Sequence, residues 1–296
     1  MDWQGKLISL YLFICNEYKT HLWSYCERMT NHADLSFSDE EVITIFLYGV
    51  INKRREIKAI YQDAERYLKS WFPQLPSYVA FVQRINRVCD VFVPLIESLQ
   101  SSLPADIYFE THQLIDSMPI VMAKQGRRFQ AKVAKEIATS NGYCATKKMH
   151  YYGVKLHVLG HYKKGSLPIP SYIGLTNAGM GDRKAYEQIL PELSENVFAD
   201  KAYQRENKSI LRDDSVLLHT PVKKQKGQKL LDSADRLLSS AVSSIRQPIE
   251  SFFNWLEEKT SIQMASKVRS YNGLMVHVFG RIAAALFMLI ERVTSS

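Results

Sequence analysis

Residues 152–158, Tyr152-Gly153-Val154-Lys155-Leu156-His157-Val158, alternate apolar side chains with glycine or polar ones without a break. A period of two is typical of a strand that has one face in a core and the other face in solvent. We therefore predict a strand whose exposed face presents Lys155 and His157 together. Apolar residues 107–109 and 114–115 predict a first strand before it, and apolar runs after it predict strands at 170–175, 196–199 and 216–219.

Helical patterns over 182–190 and about 205–212 separate the later strands. An antiparallel trio followed by alternating strands and helices is the order of an RNase H-like α/β fold, a mixed sheet flanked by helices. We predict this fold for residues 106–296 and a helical domain for residues 1–105. In that helical domain, Ser38-Asp39-Glu40-Glu41 has the spacing of a capping box.

A later helix, which starts at about Ser77, presents Arg84 and Arg87. The short helices before it and its two arginines resemble a helix-turn-helix domain, in which this third helix would lie in a groove of DNA. A helical bundle with solvated arginines is the alternative interpretation.

Charge is distributed unevenly along the chain. Residues 1–105 hold 11 Lys/Arg against 12 Asp/Glu, whereas residues 106–296 hold 27 against 18. A positive field over the second region suits a polyanionic partner such as DNA.

The four cysteines form no Cys-x-x-Cys pair, which predicts reduced thiols in a cytoplasmic protein. The apolar stretch 273–290 contains His277 and Arg281, so we predict a buried helix there and no membrane span.

Three carboxylates lie in well-defined local frames. Asp116 follows the apolar pair Leu114-Ile115, Asp200 follows Val197-Phe198-Ala199, and Glu250 lies on the flank of an amphipathic helix. Arg246 precedes Glu250 by four residues and therefore shares its face, where it could orient the glutamate or bind a phosphate. Asp182 is most simply the N-cap of the helix that follows it.

Such carboxylates are suited to phosphodiester chemistry. Two Mg²⁺ or Mn²⁺ ions can activate the attacking oxygen and stabilise the leaving oxygen, and carboxylates are the ligands that Mg²⁺ prefers. We predict that Asp116, Asp200 and Glu250 are catalytic metal ligands. The candidate DNA contacts are the following basic residues and one histidine: Lys155, His157, Lys201, Arg246, Arg127, Arg128, Lys223, Lys224, Arg84 and Arg87.

At these positions the chain resembles the DDE transposases of bacterial insertion sequences, most closely the group numbered 982. The matching stretches are Ile115-Asp116-Ser117-Met118-Pro119-Ile120, Tyr152-Gly153-Val154-Lys155-Leu156-His157, Ala199-Asp200-Lys201-Ala202-Tyr203, Arg246-Gln247-Pro248-Ile249-Glu250 with Phe253, and Phe72-Pro73-Gln74-Leu75-Pro76-Ser77-Tyr78. Related enzymes often carry a tyrosine three residues before the arginine and a lysine seven after the glutamate; Ser243 and Glu257 stand there in this chain.

The resemblance implies an RNase H-like catalytic domain with two divalent metal ions. It also implies that double-stranded DNA, as terminal inverted repeats and as target, is the partner of a homodimer on the bacterial nucleoid. The predicted activity is cleavage of DNA at transposon ends followed by strand transfer. Two alternatives remain open from the sequence: a structure-selective nuclease of the same fold that performs no strand transfer, and a catalytically decayed DNA-binding protein.

Overall fold

The structure is a computed structural model that describes residues 2–27, 35–103, 112–162, 164–189, 196–204, 217–224 and 226–294. The chain divides into two compact units, which we call the sheet unit (residues 104–255) and the helical unit (residues 1–103 and 256–296). The sequence predicts one catalytic domain over residues 106–296. In the structure, residues 256–296 pack with the N-terminal helices instead, because their apolar side chains, such as Val276 and Ile282, are buried there.

The helical unit contains α-helices from both ends of the chain. They are α1 (Trp3–Thr20), α2 (Asp39–Ile51), α3 (Ile57–Tyr67), α4 (Tyr78–Arg87), α5 (Phe92–Ser101), the end of α7 (Ser233–Thr260), α8 (Tyr271–Met275) and α9 (Arg281–Thr294). A π-helical turn, Val276–Gly280, joins α8 to α9. Helix α9 packs on α2 and α5, so the C-terminal helix completes the core of this unit.

The predicted capping box at the start of α2 is confirmed. The Ser38 hydroxyl accepts a hydrogen bond from the Glu41 backbone N–H (3.2 Å), and the Glu41 carboxylate accepts one from the Ser38 N–H (2.6 Å). Two of the otherwise unpaired N–H groups at this helix end are thereby satisfied. Helix α4 likewise begins where the sequence predicted, with Ser77 as its N-cap.

The arginines of α4 are engaged within the protein. Both Arg84 and Arg87 bind the carboxylate of Asp39, at 2.9 and 3.0 Å, and Asp39 is only 2% exposed. A buried carboxylate requires such partners because an unpaired charge is costly to bury. The interpretation of Arg84 and Arg87 as free groove-contacting arginines is therefore wrong for this structure, and these side chains hold α4 against α2.

The stretch Tyr271–Glu291 is long and apolar enough to cross a membrane, yet 67% of its most apolar window is buried inside the protein. Of the two polar residues that interrupt this stretch, Arg281 is buried and His277 is partly buried. His277 Nε2 lies 2.8 Å from the Ile262 carbonyl oxygen, and Arg281 donates to the carbonyl oxygens of Thr260 and Arg55. The segment thus has the burial of a core helix, as predicted.

The sheet unit contains six described strands and two helices. They are β1 (His112–Lys124), β2 (Asn141–Cys144), β3 (Met149–His161), β4 (Ile169–Asn177), α6 (Asp182–Ile189), β5 (Asn196–Phe198), β6 (Leu217–His219) and most of α7. Residues 107–109 of the predicted first strand and the predicted helix at 205–212 lie outside the described residues. Strand β2 was not predicted.

The strand order confirms the predicted mixed α/β architecture. Strand β1 pairs antiparallel with β3, which pairs antiparallel with both β2 and β4. On its other edge β1 pairs in parallel with β5, and β5 pairs in parallel with β6. Strand β1 therefore stands between the antiparallel and the parallel halves of the sheet.

Both faces of the sheet carry a helix. On one face, Tyr186 of α6 packs with Ile115, Leu159 and Val197. Side chains alternate along β1, so Asp116 lies on the face opposite to Ile115. Helix α7 reaches that second face, since its Arg246 contacts Asp116. A central strand covered on both sides leaves little of its surface in solvent.

Candidate active site

Asp116 and Asp200 lie side by side on neighbouring parallel strands. The last paired positions of β1 and β5 are Leu114 and Phe198, and both aspartates follow two residues later. Asp200 has an extended backbone (φ −74°, ψ 166°), and its negative charge contributes to the raised pKa of Asp116. Because neighbouring strands are about 4.8 Å apart, we infer that the two carboxylates start from closely spaced backbones.

The position of Asp116 within its strand differs from the prediction. The sequence placed it at the end of a strand, but β1 continues to Lys124 and pairs with β3 along that length. It is the parallel partner, β5, that ends at Phe198. Asp116 therefore lies beside the open end of a shorter neighbour, which leaves its side chain 21% exposed.

Buried apolar residues fix both aspartates in place. Leu114, Ile115, Val197 and Ala199 are fully buried next to the two acids in sequence. Ile115, Val197 and Ala199 belong to one core cluster, so the strands that carry the acids share a single packed layer. The backbone on which the carboxylates stand is therefore held rigidly by packing.

The Asp116 carboxylate is both buried and bonded. It accepts a hydrogen bond from the Ser117 backbone N–H (2.8 Å) and one from Arg246 Nη1 (2.8 Å). Burial raises the pKa of Asp116 to about 6, Arg246 and the Ser117 N–H oppose this, and the negative charges of Asp200 and Asp182 add to it. A buried site that gathers several negative charges favours the arrival of a cation.

Arg246 connects Asp116 to Glu250. Its second guanidinium nitrogen donates to Glu250 one helical turn later, while the first binds Asp116, as a planar fork with two donors allows. On α7 the apolar face, which includes Ile249, Phe252 and Leu256, is buried. Glu250 lies on the flank of this face and is 52% exposed. The structure thus brings Asp116 and Asp200 together directly and joins Glu250 to them through Arg246.

Asp182 is an acid of this region that the sequence analysis interpreted only as a helix cap. It is the first residue of α6, and its Oδ1 accepts hydrogen bonds from Ser117 Oγ (2.8 Å) and Lys155 Nζ (3.0 Å). Lys155 also donates to the Met180 carbonyl oxygen (2.8 Å). Ser117 and Asp116 point to opposite faces of β1, so Asp182 lies behind the aspartate pair. The sequence shows only an acid at the start of the helix that follows β4, and this pattern does not indicate the contacts of Asp182 with Ser117 and Lys155.

Tyr203 is a buried residue close to all three aspartates, Asp116, Asp182 and Asp200. It is 1% exposed, and burial raises its pKa well above the usual range, with further contributions from Asp182, Asp116 and Asp200. Its ring packs edge-on against Tyr186. Residues 200–203 therefore supply one acid of the site, Asp200, and a buried ring, Tyr203, in the core cluster next to it.

His157 does not lie on an exposed face. It is 1% exposed, its Nε2 lies 2.8 Å from Thr176 Oγ1, and burial lowers its pKa to about 4. The prediction that Lys155 and His157 form a solvated strand face is wrong, because α6 packs on this side of β3 with Tyr186 against Leu159. His157 is buried beneath it, and Lys155 pairs with Asp182 and is only 17% exposed.

The other predicted DNA contacts of the sheet unit are at its surface. Arg127, Lys201, Lys223 and Lys224 are exposed, and Lys201 directly follows Asp200. Arg128 is partly buried, with its guanidinium 4.1 Å from the ring centroid of Phe129. These positions remain predictions of phosphate contact.

The three carboxylates are chemically suited to bind a divalent metal ion, but their side chains do not converge on one point. Among the described residues, no group of three or more histidines, cysteines and acids is close enough to hold a metal ion. The Arg246 guanidinium occupies the cationic position between Asp116 and Glu250. The oxygen donors and the surplus negative charge at Asp116 nevertheless fit Mg²⁺ or Mn²⁺ in type.

Comparison with known proteins bears on this site. A family model described as a transposase DDE domain matches residues 108–270, which is more than half of the chain and includes all three predicted catalytic acids. No curated protein and no solved structure matches the chain. On the extent of that family match, the chain belongs to the transposase DDE-domain family.

Proposed function

We propose that this protein is a DNA transposase that cleaves DNA at transposon ends and joins the new ends to target DNA. The observation that carries the proposal is the pair Asp116 and Asp200, adjacent on parallel strands and followed by Arg246 and Glu250 on α7. The four antiparallel strands β1 to β4, with the parallel strands β5 and β6 beyond β1, support an RNase H-like assignment of the sheet unit.

Asp116 and Asp200 would hold two Mg²⁺ or Mn²⁺ ions, and Glu250 would complete the set of ligands. The ions, when bound, would activate the attacking oxygen and stabilise the leaving oxygen of the phosphodiester. Arg246 keeps the carboxylates of Asp116 and Glu250 oriented and neutralises part of their charge until a cation or a phosphate competes for them.

The proposed reaction has two steps of the same kind. In the first, a water oxygen bonds to phosphorus and the P–O3′ bond breaks, which leaves a 3′ hydroxyl on the transposon end. In the second, that hydroxyl oxygen bonds to a phosphorus of target DNA and displaces a target 3′ oxygen. Lys201, Lys223, Lys224, Arg127 and Arg128 are the residues we propose to contact the DNA backbone.

We also propose that a homodimer assembles on DNA, since two transposon ends must be brought together. Terminal inverted repeats and target DNA are the proposed partners, on the bacterial nucleoid in the cytoplasm. The excess of Lys/Arg in residues 106–296 supports a polyanionic partner.

The test is cleavage of a DNA fragment that carries one transposon end, with Mg²⁺, by the wild-type protein and by Asp200→Asn. We expect Asp200→Asn to lose cleavage while it still binds the fragment, because the amide is a weaker metal ligand of nearly the same shape. Asp235→Asn, at a partly exposed position in the first turn of α7, is the matched control and should cleave normally. Wild-type cleavage by Asp200→Asn would refute the assignment.

A second assay separates transposition from simple hydrolysis. Pre-cut ends with a free 3′ hydroxyl are mixed with supercoiled target DNA, and joined products are counted. A structure-selective nuclease would give no joined product, and a decayed DNA-binding protein would neither cut nor join.

A further inference from the structure

The helical unit contains a cavity of about 730 Å³. Its walls come from both ends of the chain: the start of α3, one face of α4, the segment 257–270 and the π-helical turn. All lining residues belong to the helical unit. A volume in this range is typical of sites for small molecules, and it is too small to admit a DNA duplex.

One face of α4 lines the cavity. Tyr78, Val82 and Asn86 are spaced four residues apart, so they form a single stripe along the helix, and all three line the wall. Tyr78 at the open end is 38% exposed. The stripe does not include Arg84 or Arg87, which bind Asp39, so α4 has a structural face and a separate face toward the cavity.

The floor of the cavity is apolar and its rim is cationic. Phe46, Val268 and Val276 line it and are buried. The exposed cations that line it are Arg55, Lys58, Lys267 and Arg269. An apolar recess bordered by positive charge suits a ligand with a flat apolar body and an anionic group.

Three acids line the cavity, against four exposed cations, and two of the acids are engaged. Glu258 pairs with Lys53 (3.4 Å) and Lys259 (2.8 Å), and Glu257 accepts a hydrogen bond from the Gln263 backbone N–H (2.8 Å), while Glu56 is exposed. Within the described part of the chain, neither Lys58 nor Lys267 makes an ion pair. The rim is therefore free to attract an anion.

A polar atom and an unusual backbone mark the inner wall. Asn86 lines the cavity, and its Oδ1, which is turned away from solvent, has no hydrogen-bond partner in the described structure. The wall also contains His277 within the π-helical turn. Single π turns are frequent at functional sites, and a buried acceptor without a partner requires a donor.

We propose that this cavity binds one unpaired nucleotide of a DNA strand. The base occupies the apolar recess, and rotation of the Asn86 side chain toward the cavity lets Oδ1 accept an exocyclic N–H of the base. The adjoining phosphates lie against Lys58, Lys267 and Arg269. A base inside an intact duplex cannot reach such a recess, so the bound nucleotide comes from a single-stranded or unpaired segment. That this strand is a transposon end rests on the proposed function; the recognition of a nucleotide does not.

The experiment uses the full chain with methyl-¹³C methionine, because Met264 lines the cavity and reports on it locally. Its signal is assigned with Met264→Leu and followed by NMR during titration with a 12-nucleotide single strand, with the same sequence as a blunt duplex, and with free 5′-dAMP. We expect the single strand to shift the Met264 signal at much lower concentration than either of the others. Met118 and Met122, in the sheet unit, give an internal comparison.

Two double variants test the rim. Lys267→Glu/Arg269→Glu should raise the single-strand concentration at half-shift at least tenfold. Arg66→Glu/Lys69→Glu reverses two exposed cations of the same unit outside the cavity and should change it less than twofold. Val82→Trp narrows the recess and should also weaken binding, with a thermal melt to confirm that the variant is folded.

Three results would overturn the proposal: no Met264 response to the single strand, an equal loss in both double variants, or tighter binding of free 5′-dAMP than of the strand. The last result would indicate a free nucleotide as the ligand. Asp200→Asn should keep the Met264 response, so failure of the catalytic assignment and failure of this proposal are distinguishable.

Discussion

Removal of the Arg246 side chain should raise the pKa of Asp116 further. Burial already raises this pKa to about 6, and the hydrogen bond from Arg246 Nη1 at 2.8 Å opposes the rise. Both side chains are largely shielded, at 13% exposed for Arg246 and 21% for Asp116. A hydrogen bond to a charged group at such a position contributes about 1.5–3 kcal/mol, which corresponds to a change of about 1–2 pKa units.

We therefore expect the Asp116 midpoint to move from about 6 in the metal-free wild type to roughly 7–8 in Arg246→Met. The assay is a pH titration of metal-free protein labelled with ¹³C at the aspartate carboxyl groups, followed by NMR. Arg246→Lys keeps the charge but loses the fork, so its midpoint should lie between the two.

Glu250→Gln is the matched control. Glu250 bonds to the same guanidinium but is 52% exposed, so the Asp116 midpoint should change by well under about one pKa unit. An unchanged or lower midpoint in Arg246→Met would refute the conclusion that Arg246 stabilises the ionised form of Asp116. With a pKa of about 6, Asp116 of the wild type is mostly ionised at neutral pH and is available as a metal ligand.

Two further predictions concern the helical unit. Arg87→Ala should lower the free energy of unfolding by about 1–2 kcal/mol, because buried Asp39 loses a charged partner that is itself partly exposed. The DNA affinity of the folded protein should stay unchanged; weaker DNA binding at unchanged stability, measured by fluorescence anisotropy and urea unfolding, would contradict this. Burial lowers the pKa of His277 to about 3, so the unfolded chain takes up its proton first and stability should fall by about 2 kcal/mol between pH 7 and pH 5, an effect that His277→Gln should remove; equal pH dependence in both proteins would argue against it.

Local patterns predicted much of the fold. The alternation of 152–158 marks β3, and the Ser38 capping box and the Ser77 cap mark the first residues of α2 and α4. These features depend on neighbours a few residues apart, so one chain reveals them without knowledge of the tertiary structure. Strand β2 was missed because its four residues, Asn141–Cys144, show no clear alternation.

Long-range partners were beyond the reach of sequence patterns. The charge of Arg87 is evident in the sequence, whereas its pairing with Asp39 depends on how α4 packs on α2. The alternation around His157 identified the two faces of β3 correctly, but not that α6 covers the second face. Residues 256–296 carry apolar stripes that could pack on either unit, and only the structure shows that they complete the helical unit.

In the candidate site, too, local sequence patterns indicate some features, whereas others depend on long-range packing. Asp116 and Asp200 were predicted from their positions after apolar runs, and the parallel register of β1 and β5 brings them together. The four-residue spacing of Arg246 and Glu250 correctly indicated their contact. The bridge from Arg246 to Asp116 spans 130 residues of sequence, and nothing in the local frame of either residue indicates it.

The central claim is that Asp116 and Asp200 together bind the catalytic metal. Its most direct test is Mn²⁺ binding, measured by electron paramagnetic resonance on the wild type, Asp116→Asn, Asp200→Asn and, as a nearby control, Asp182→Asn. Asp182 bonds to Ser117 and Lys155 behind the pair, so its variant should retain Mn²⁺ binding. We predict that both other variants lose binding at least tenfold; wild-type Mn²⁺ affinity in Asp116→Asn or Asp200→Asn would contradict the account.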